Sequence, residues 1–448
     1  MKLAIPTLAV YGLLCVPPVA AQAEEIAPAK ALADYVARPD ASQKWKLRRE
    51  GSLGNTKYVE LTLTSQTWRN IVWKHQLFIL KPSTAPANAE HALLFIGGSS
   101  WKESLAEPTA PNEKMPGEAR TLALIAEQLK TPVAILLQVP QQPIFDGKVE
   151  DAIIALTFEN YVRTGEADWP LLLPMVKSAV AGMNATQAFA SQEWKLDLKT
   201  FTVSGASKRG WTTWLTGAVD KRAVAIAPMV IDMLNMATQM KHQKDTWGDL
   251  SEEIIDYKER GLDRVLETPR GKLLASIVDP YAYREQLTQP KFIILGTNDR
   301  YWPLDSLNHY WDGLEGDKHV MYVPNNGHGL TDLPRIAGAV HALQQQVIRG
   351  EKLPTLTWKH EVQEQQWSLS LTSSTETAAI RVWQAQSETK DFRDSKWQST
   401  ELTAGKSVAF DRPLPKTGYA AMFLEAEYKN LDLPYFLSTQ LKIVEAKE

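Results

Sequence analysis

The chain has 448 residues, of which 44% are hydrophobic and 23% charged, and its formal net charge is −3 at pH 7. This length and apolar content are ample for a large buried core. A near-neutral charge without a long charge run argues against nucleic-acid binding and against binding to membrane surfaces.

Residues 1–23 have the pattern of an export signal. They combine a positively charged start, an apolar stretch over residues 3–19 and a small-x-small cleavage pattern at residues 21–23. A membrane anchor is the alternative, but the stretch is short and interrupted by prolines, which favours cleavage. We therefore expect a periplasmic or secreted protein with no membrane anchor after cleavage. Cys15 is the only cysteine, so the mature chain would lack disulfides, thiol nucleophiles and cysteine-ligated metals.

Strand-like runs alternate with helical segments over most of the remaining chain. An alternating run at 58–64 and a longer one at 71–80 come first. Continuous apolar runs follow at 92–96, 133–137, 224–228, 292–296 and 320–324, and helical segments occupy 118–130, 174–192 and 333–348. Continuous apolar strands between helices are typical of a mainly parallel sheet that is buried on both faces. The pattern predicts an α/β domain over residues 24–353, led by antiparallel strands.

Two further regions interrupt or follow this domain. Residues 232–288 form a long, charged, helical insertion between two strands. In an α/β sheet such an insertion sits above the carboxyl ends of the strands, where it can form a lid. Residues 354–448 are rich in Thr, Ser, Val and Trp, with short alternating runs separated by turns. They predict an all-β, sandwich-like module.

The stretch 201–210 is the most informative part of the chain. A β-type run ends in small residues at Ser207 and is followed by a segment that can start a helix. A nucleophile elbow has this order, because its sharp strand-to-helix turn leaves no room for large side chains. Ser207 is therefore the candidate nucleophile. The usual pattern is G-x-S-x-G, whereas here Arg209 takes the fifth position and Gly210 follows, so an ordinary turn into a helix is the alternative.

Candidate partners of Ser207 follow the next long strands. Asp299 comes after the strand at 292–296, and His328 lies between two glycines after the strand at 320–324. The chain order Ser, acid, His is that of an α/β-hydrolase fold. His328 would take the proton from Ser207 Oγ, and Asp299 would orient the imidazole. A turn-capping role is the alternative for Asp299, and Asp305 is a second candidate for the acid.

An oxyanion hole needs two backbone donors. We predict one at Lys208, the residue after the nucleophile, and the other in the glycine-containing loop after the strand at 92–96, at Gly98 or Ser99. A nucleotide-binding loop is a weak alternative for these glycines, since neither G-x-G-x-x-G nor a P-loop pattern occurs.

Three further residues are expected near the substrate. Arg209 could meet an acidic group of the substrate or be paired within the protein, and Trp101 and Trp302 could serve recognition or packing. No H-E-x-x-H pattern occurs, which argues against a zinc hydrolase, and we expect neither a metal nor another cofactor.

Many passages resemble the PhoPQ-activated pathogenicity-related protein family. These passages are residues 34–36, 39–40, 45, 63–68, 72–75, 150–152, 173–179, 205–212, 296–299, 301–302, 310–314 and 324–330. The resemblance covers most of the mature chain and implies an exported α/β-hydrolase-like protein with a C-terminal β module. It also implies that Arg209 is the family's own form of the elbow, and it names no substrate.

The sequence thus predicts an exported serine hydrolase that cleaves an ester or amide bond of a small molecule or peptide through an acyl-enzyme. The Ser-Lys elbow is similar to that of some secreted serine peptidases, which favours an amide or peptide. The alternatives are a secreted binding or signalling protein on a hydrolase scaffold, and a carbohydrate esterase whose β module binds glycans.

Overall fold

The computed structural model describes residues 28–109 and 113–446, so the predicted export signal at 1–23 lies outside the described residues. A nine-stranded sheet with the order β1-β2-β3-β5-β4-β6-β7-β8-β9 forms the centre of the first domain. Its strands are β1 (Lys44–Leu53), β2 (Thr56–Trp68), β3 (Ile71–Lys81), β4 (His91–Ile96), β5 (Val133–Leu136), β6 (Thr200–Ala206), β7 (Ala223–Met229), β8 (Lys291–Gly296) and β9 (Lys318–Val323).

The sheet is mainly parallel. Strands β1, β2, β3 and β5 pair antiparallel in that order, and every pair from β5 through β4 to β9 is parallel. The predicted mixed α/β architecture, in which antiparallel strands lead into a parallel sheet, is confirmed and is consistent with the α/β-hydrolase fold. The sequence did not predict β1, because this strand is charged and largely exposed.

Helices cover both faces of the sheet. They are α1 (Pro28–Ala37), α2 (Gly117–Leu129), α3 (Glu150–Thr164), α4 (Leu172–Trp194), α5 (Lys208–Val219), α6 (Met236–Trp247), α7 (Ile255–Glu259), α8 (Leu262–Val265), α9 (Pro269–Val278) and α10 (Leu333–Arg349). Leu94 of β4 belongs to a buried apolar cluster with Met175 of α4. Its neighbour Leu93 belongs to a second cluster with Ala123 of α2 and Ala339 of α10. Successive strand residues point to opposite faces, so a continuous apolar strand is buried on both sides.

The chain between β7 and β8 contains α6 to α9, in agreement with the predicted helical insertion. Across residues 28–109 and 113–446, no helix has the combination of length and apolar character that crossing a membrane requires.

The C-terminal region folds as two antiparallel sheets, one of order β10-β11-β14 and one of order β13-β12-β15-β16 with β17 paired to β15. The strands are β10 (Leu356–Gln363), β11 (Gln366–Ser373), β12 (Ala379–Ser387), β13 (Gln398–Leu402), β14 (Ser407–Pro413), β15 (Tyr419–Tyr428), β16 (Tyr435–Ser438) and β17 (Lys442–Glu445). Trp367 and Leu369 of β11 share a buried cluster with Val382 of β12 and Leu424 of β15. The two sheets therefore contribute to one buried apolar cluster, which also includes residues of the α/β domain such as Leu93.

Candidate active site

Ser207 occupies a strained turn between β6 and α5, with φ 58° and ψ −128°. Its N–H donates a hydrogen bond of 2.9 Å to Met229 O in the neighbouring strand. A Cβ atom on Gly205 would lie 2.8 Å from Arg209 O, and one on Gly210 would lie 2.8 Å from Met229 O. Both positions therefore require glycine. The second glycine comes one residue later than in the usual motif, at the position where a Cβ would contact Met229 O of β7.

His328 and Asp299 form a hydrogen-bonded pair. The distance from His328 Nδ1 to Asp299 is 2.8 Å at Oδ2 and 3.1 Å at Oδ1, and Asp299 Oδ1 also accepts the Tyr301 N–H at 2.9 Å. The Tyr301 ring stacks on the imidazole at 4.0 Å between centroids. Since a carboxylate can only accept, Nδ1 carries the proton and Nε2 is left as an acceptor.

Ser207 and His328 line the same cavity. His328 Nε2 is buried and makes no hydrogen bond to any described residue, Ser207 included. Hydrogen bonds between a nucleophile and its base are often long in free enzymes and tighten in the substrate complex. The structure therefore brings the serine and the Asp299–His328 pair to one cavity without joining all three.

Asp305, the second candidate for the acid, has another partner. Its Oδ1 lies 2.6 Å from Nε2 of His242 on α6. Of the two aspartates, the structure therefore brings Asp299 to His328 and Asp305 to the insertion.

The two predicted oxyanion donors differ in position. Lys208 is the first residue of α5 and lines the cavity, and the first-turn N–H groups of a helix have no intrahelical acceptor. Gly98 and Ser99 follow β4, but neither is among the described residues that line the cavity. A Cβ on Gly98 would lie 2.6 Å from Arg209 Nη2. The glycine thus makes room for this guanidinium, which the sequence did not predict.

Arg209 is held by the protein itself. Its Nη1 and Nη2 donate to the two carboxylate oxygens of Glu150 at 2.8 and 2.7 Å, and Nε donates to Val139 O at 2.6 Å. Lys208 Nζ lies 3.0 Å from both Glu150 and Asp151. Burial acts to raise the pKa of Glu150. The hydrogen bonds and the positive charge of Arg209 outweigh burial and lower the pKa to about 2. Arg209 is therefore paired within the protein, the alternative that the sequence left open, and it is not among the described residues that line the cavity.

Glu150 and Asp151 were not predicted as site residues. They stand side by side in the first turn of α3 and face the adjacent cations of α5. A signal was available in the sequence: two neighbouring carboxylates begin a helix, and two neighbouring cations follow Ser207 at the elbow.

The two tryptophans separate. Trp302 is 9% exposed and lines the cavity. Trp101 donates its indole N–H to Glu103 at 3.0 Å and its backbone N–H to Gln142 O at 2.8 Å. These bonds hold Trp101 against the chain after β5, outside the cavity lining.

The cavity beside Ser207 opens to solvent, and its space, open solvent included, is about 790 Å³. More than half of the residues that line it belong to the insertion, and sequence reasoning did not identify them individually. Their apolar members include Met233, Met236, Met240, Leu250, Leu266 and Leu274. Within the described part of the chain, no group of three or more His, Cys, Asp or Glu side chains is placed to hold a metal ion.

A loop of the β module, residues 391–397, touches both loops that carry the acid and the histidine. Asn298 Nδ2 donates to Ser395 O at 2.7 Å and to Arg393 O at 3.1 Å. Asn325 Nδ2 donates to Trp397 O at 3.0 Å, and Asn325 Oδ1 accepts the Trp397 N–H at 2.8 Å. The C-terminal module thus anchors the residues next to Asp299 and three positions before His328.

Asp232 is another buried carboxyl group near residues 391–397. It lines a small cavity together with Asp299, Phe392 and Arg393 and accepts the Tyr310 O–H at 2.6 Å. Burial raises the pKa of Asp232 to about 8, and the nearby charge of Asp299 acts in the same direction. The sequence did not predict this residue.

Comparison with known proteins gives the family. The model of the PhoPQ-activated pathogenicity-related proteins matches residues 32–393. The chain belongs to this family. This confirms the resemblance seen in the sequence.

One relative is the autocrine proliferation repressor protein A of Dictyostelium discoideum, which is 31% identical to this chain over 434 residues. The match covers 89% of this chain and 85% of that protein. Among solved structures, acetyl xylan esterase 1 from Thermoanaerobacterium sp. JW/SL YS485 has a TM-score of 0.47 at 14% identity, over 70% of this chain and 92% of that one. The glucuronoyl esterase from Solibacter usitatus has a TM-score of 0.39 at 12% identity, over 70% and 91%. These two structural likenesses are too distant to bear on function.

Proposed function

We propose that this protein is a serine hydrolase that cleaves an ester or amide bond, with Ser207 as nucleophile. One observation carries the proposal: the strained Ser207 turn and the free Nε2 of an Asp-paired histidine face one cavity. Strain of this kind persists at functional sites because it presents the side chain to the substrate.

The reaction would proceed in two halves. As Ser207 Oγ attacks the carbonyl carbon of the substrate, His328 Nε2 takes the hydroxyl proton, and Asp299 stabilises the resulting imidazolium. The Lys208 N–H would donate to the oxyanion. Collapse of the tetrahedral intermediate expels the leaving group, which receives the proton from His328. Water, deprotonated by His328, then attacks the acyl-enzyme and releases the acid and free Ser207.

We also propose that the protein acts outside the cytoplasm. The export pattern at residues 1–23 supports this, and so does the word autocrine in the name of the Dictyostelium relative. That name also favours a second candidate function, a secreted signalling protein on a hydrolase scaffold.

Labelling with a fluorophosphonate tests the nucleophile. Wild type should be labelled, Ser207→Ala should lose at least about 10³-fold in labelling rate, and His328→Ala should be labelled slowly. The matched control is Ser276→Ala, which removes a half-buried hydroxyl of α9 that donates to Leu273 O and should be labelled like wild type. A folded wild-type protein that stays unlabelled, or equal labelling of Ser207→Ala, would refute the hydrolase. Full repression of cell proliferation by an inactive Ser207→Ala protein would favour the signalling candidate.

A further inference from the structure

The wall of the cavity beside Ser207 is chiefly apolar. Phe158 and Trp211 contribute from the core of the domain, and Met233, Met236, Met240 and Leu274 contribute from the insertion. The centre of a water-sized sphere can move through about 70 Å³ of this cavity, which is several times the space that one water molecule needs. Methionine side chains are unbranched and adapt to ligands of different shape.

The charged residues that line this cavity, apart from the histidine, are already compensated by partners within the described chain. Lys208 is paired with Glu150 and Asp151 at 3.0 Å. Asp151 also accepts the Tyr257 O–H at 2.9 Å, and Asp263 lies 2.9 Å from Lys244. A charged substrate group would have to break one of these pairs or stay unpaired in an apolar site, and both are costly.

We propose that the cavity binds an uncharged, apolar acyl group, so that the substrate is an ester or amide of a medium-chain or bulky apolar acid. This inference rests on the proposed hydrolase function and extends it by naming the substrate class. The apolar group would lie among the methionines of the insertion while its carbonyl carbon meets Ser207 Oγ. A sugar group is a poor fit for this wall, because its hydroxyl groups would have no hydrogen-bond partners there.

The first test is a series of p-nitrophenyl esters from acetyl to octanoyl. Since each buried methylene adds a constant increment of binding free energy, kcat/KM of wild type should rise about threefold to fourfold per methylene until the cavity is filled. The succinyl ester, which carries a carboxylate at the end of its chain, should react at least about tenfold more slowly than the butyryl ester.

A pair of variants on α6 locates the effect. Met240→Trp fills the cavity and should lower the ratio of octanoyl to acetyl kcat/KM at least about tenfold. Ala237→Trp, which adds the same side chain to the exposed face of α6, should keep the wild-type ratio. If Met240→Trp does not fold, Met236→Trp replaces it. An equal ratio in the cavity variant and in Ala237→Trp would overturn the proposal, as would a flat chain-length profile in wild type.

Calorimetric binding of the same esters to Ser207→Ala separates this proposal from the hydrolase itself. Affinity that rises with chain length and falls in the Ser207→Ala/Met240→Trp double variant supports the apolar site, even if wild type turns over no ester. Affinity independent of chain length overturns it, even if wild type is an active hydrolase.

Discussion

The helical insertion between β7 and β8 and the C-terminal β module both reach the loops around Asp299 and His328, and they do so with different chemistry. The insertion presents methionine and leucine side chains to the cavity beside Ser207. The module presents backbone groups of residues 391–397, which hydrogen-bond to Asn298 and Asn325.

This difference separates two tasks. Apolar contacts are non-directional and tolerate different occupants, which suits the binding of substrate. Hydrogen bonds from a folded module are directional and fix the backbone at a given distance, which suits the positioning of the Asp299–His328 pair. Variants on the two sides should therefore change different kinetic parameters.

The largest effect is expected at Asp299, where the two sides meet. Asp299→Asn should lower kcat about 10⁴-fold, because an amide can neither hold the right tautomer of His328 nor stabilise its charged form. Ester hydrolysis under saturating substrate measures it. The control Asp305→Asn, which removes the carboxylate that contacts His242, should stay within about threefold of wild type. If Asp305→Asn were the inactive variant, the assignment of the acid would be wrong.

A smaller effect is expected where the module holds the triad loops. Asn298→Ala and Asn325→Ala should each lower kcat about tenfold to hundredfold by misplacing the acid or the base, while KM and the acyl-chain preference stay as in wild type. Asn308→Ala is the matched control, since Asn308 also binds the module, at Leu441 O (3.0 Å), but lies away from Asp299 in the short helical turn Ser306–His309. Similar losses in all three variants would show general loosening of the module and would contradict a positioning role.

The smallest effect concerns pH and the buried Asp232. Its folded pKa of about 8 lies above the ordinary 3.8, so the folded protein binds a proton that unfolding releases. Its contribution to stability is complete below about pH 4 and is lost as the pH rises toward 8. From pH 5 to pH 8.5, wild type should lose at least about 1 kcal/mol of unfolding free energy relative to Asp232→Asn.

Urea denaturation at the two pH values measures this difference. Asn at position 232 still accepts the Tyr310 hydroxyl but does not titrate, so it isolates the carboxyl group. Asp411→Asn, at an exposed site on β14, should follow wild type at both pH values. If Asp232→Asn also showed the same pH dependence of unfolding free energy as wild type, Asp232 would be ionised in the folded protein.

Much of the fold follows from local sequence patterns. The continuous apolar runs at 92–96 and 292–296 correspond to β4 and β8, and the helical insertion lies where the composition placed it. Strand β1 escaped prediction because an exposed edge strand buries no face and so shows no apolar pattern. The order of the strands in the sheet depends on pairing between distant segments, which periodicity does not record.

The candidate site divides in the same way. The sequence singled out Ser207, Asp299 and His328 because a strand end followed by small residues is a local signal. The roles of Gly98 and Arg209 were not, because the pairing of Arg209 with Glu150 joins residues 59 positions apart. The contacts of Asn298 and Asn325 with residues 391–397 likewise span two folded regions.

The sequence by itself determined where most strands lie, the position of the sharp turn at Ser207 and the family to which the chain belongs. Each of these depends on residues that are near neighbours in the chain, whose backbone and side-chain preferences act locally. Only the tertiary structure decided which aspartate meets His328, which carboxylate binds Arg209 and which side chains line the cavity. Those outcomes depend on the packing of elements that are distant in sequence, where shape and the pairing of buried charge select among many otherwise equal partners.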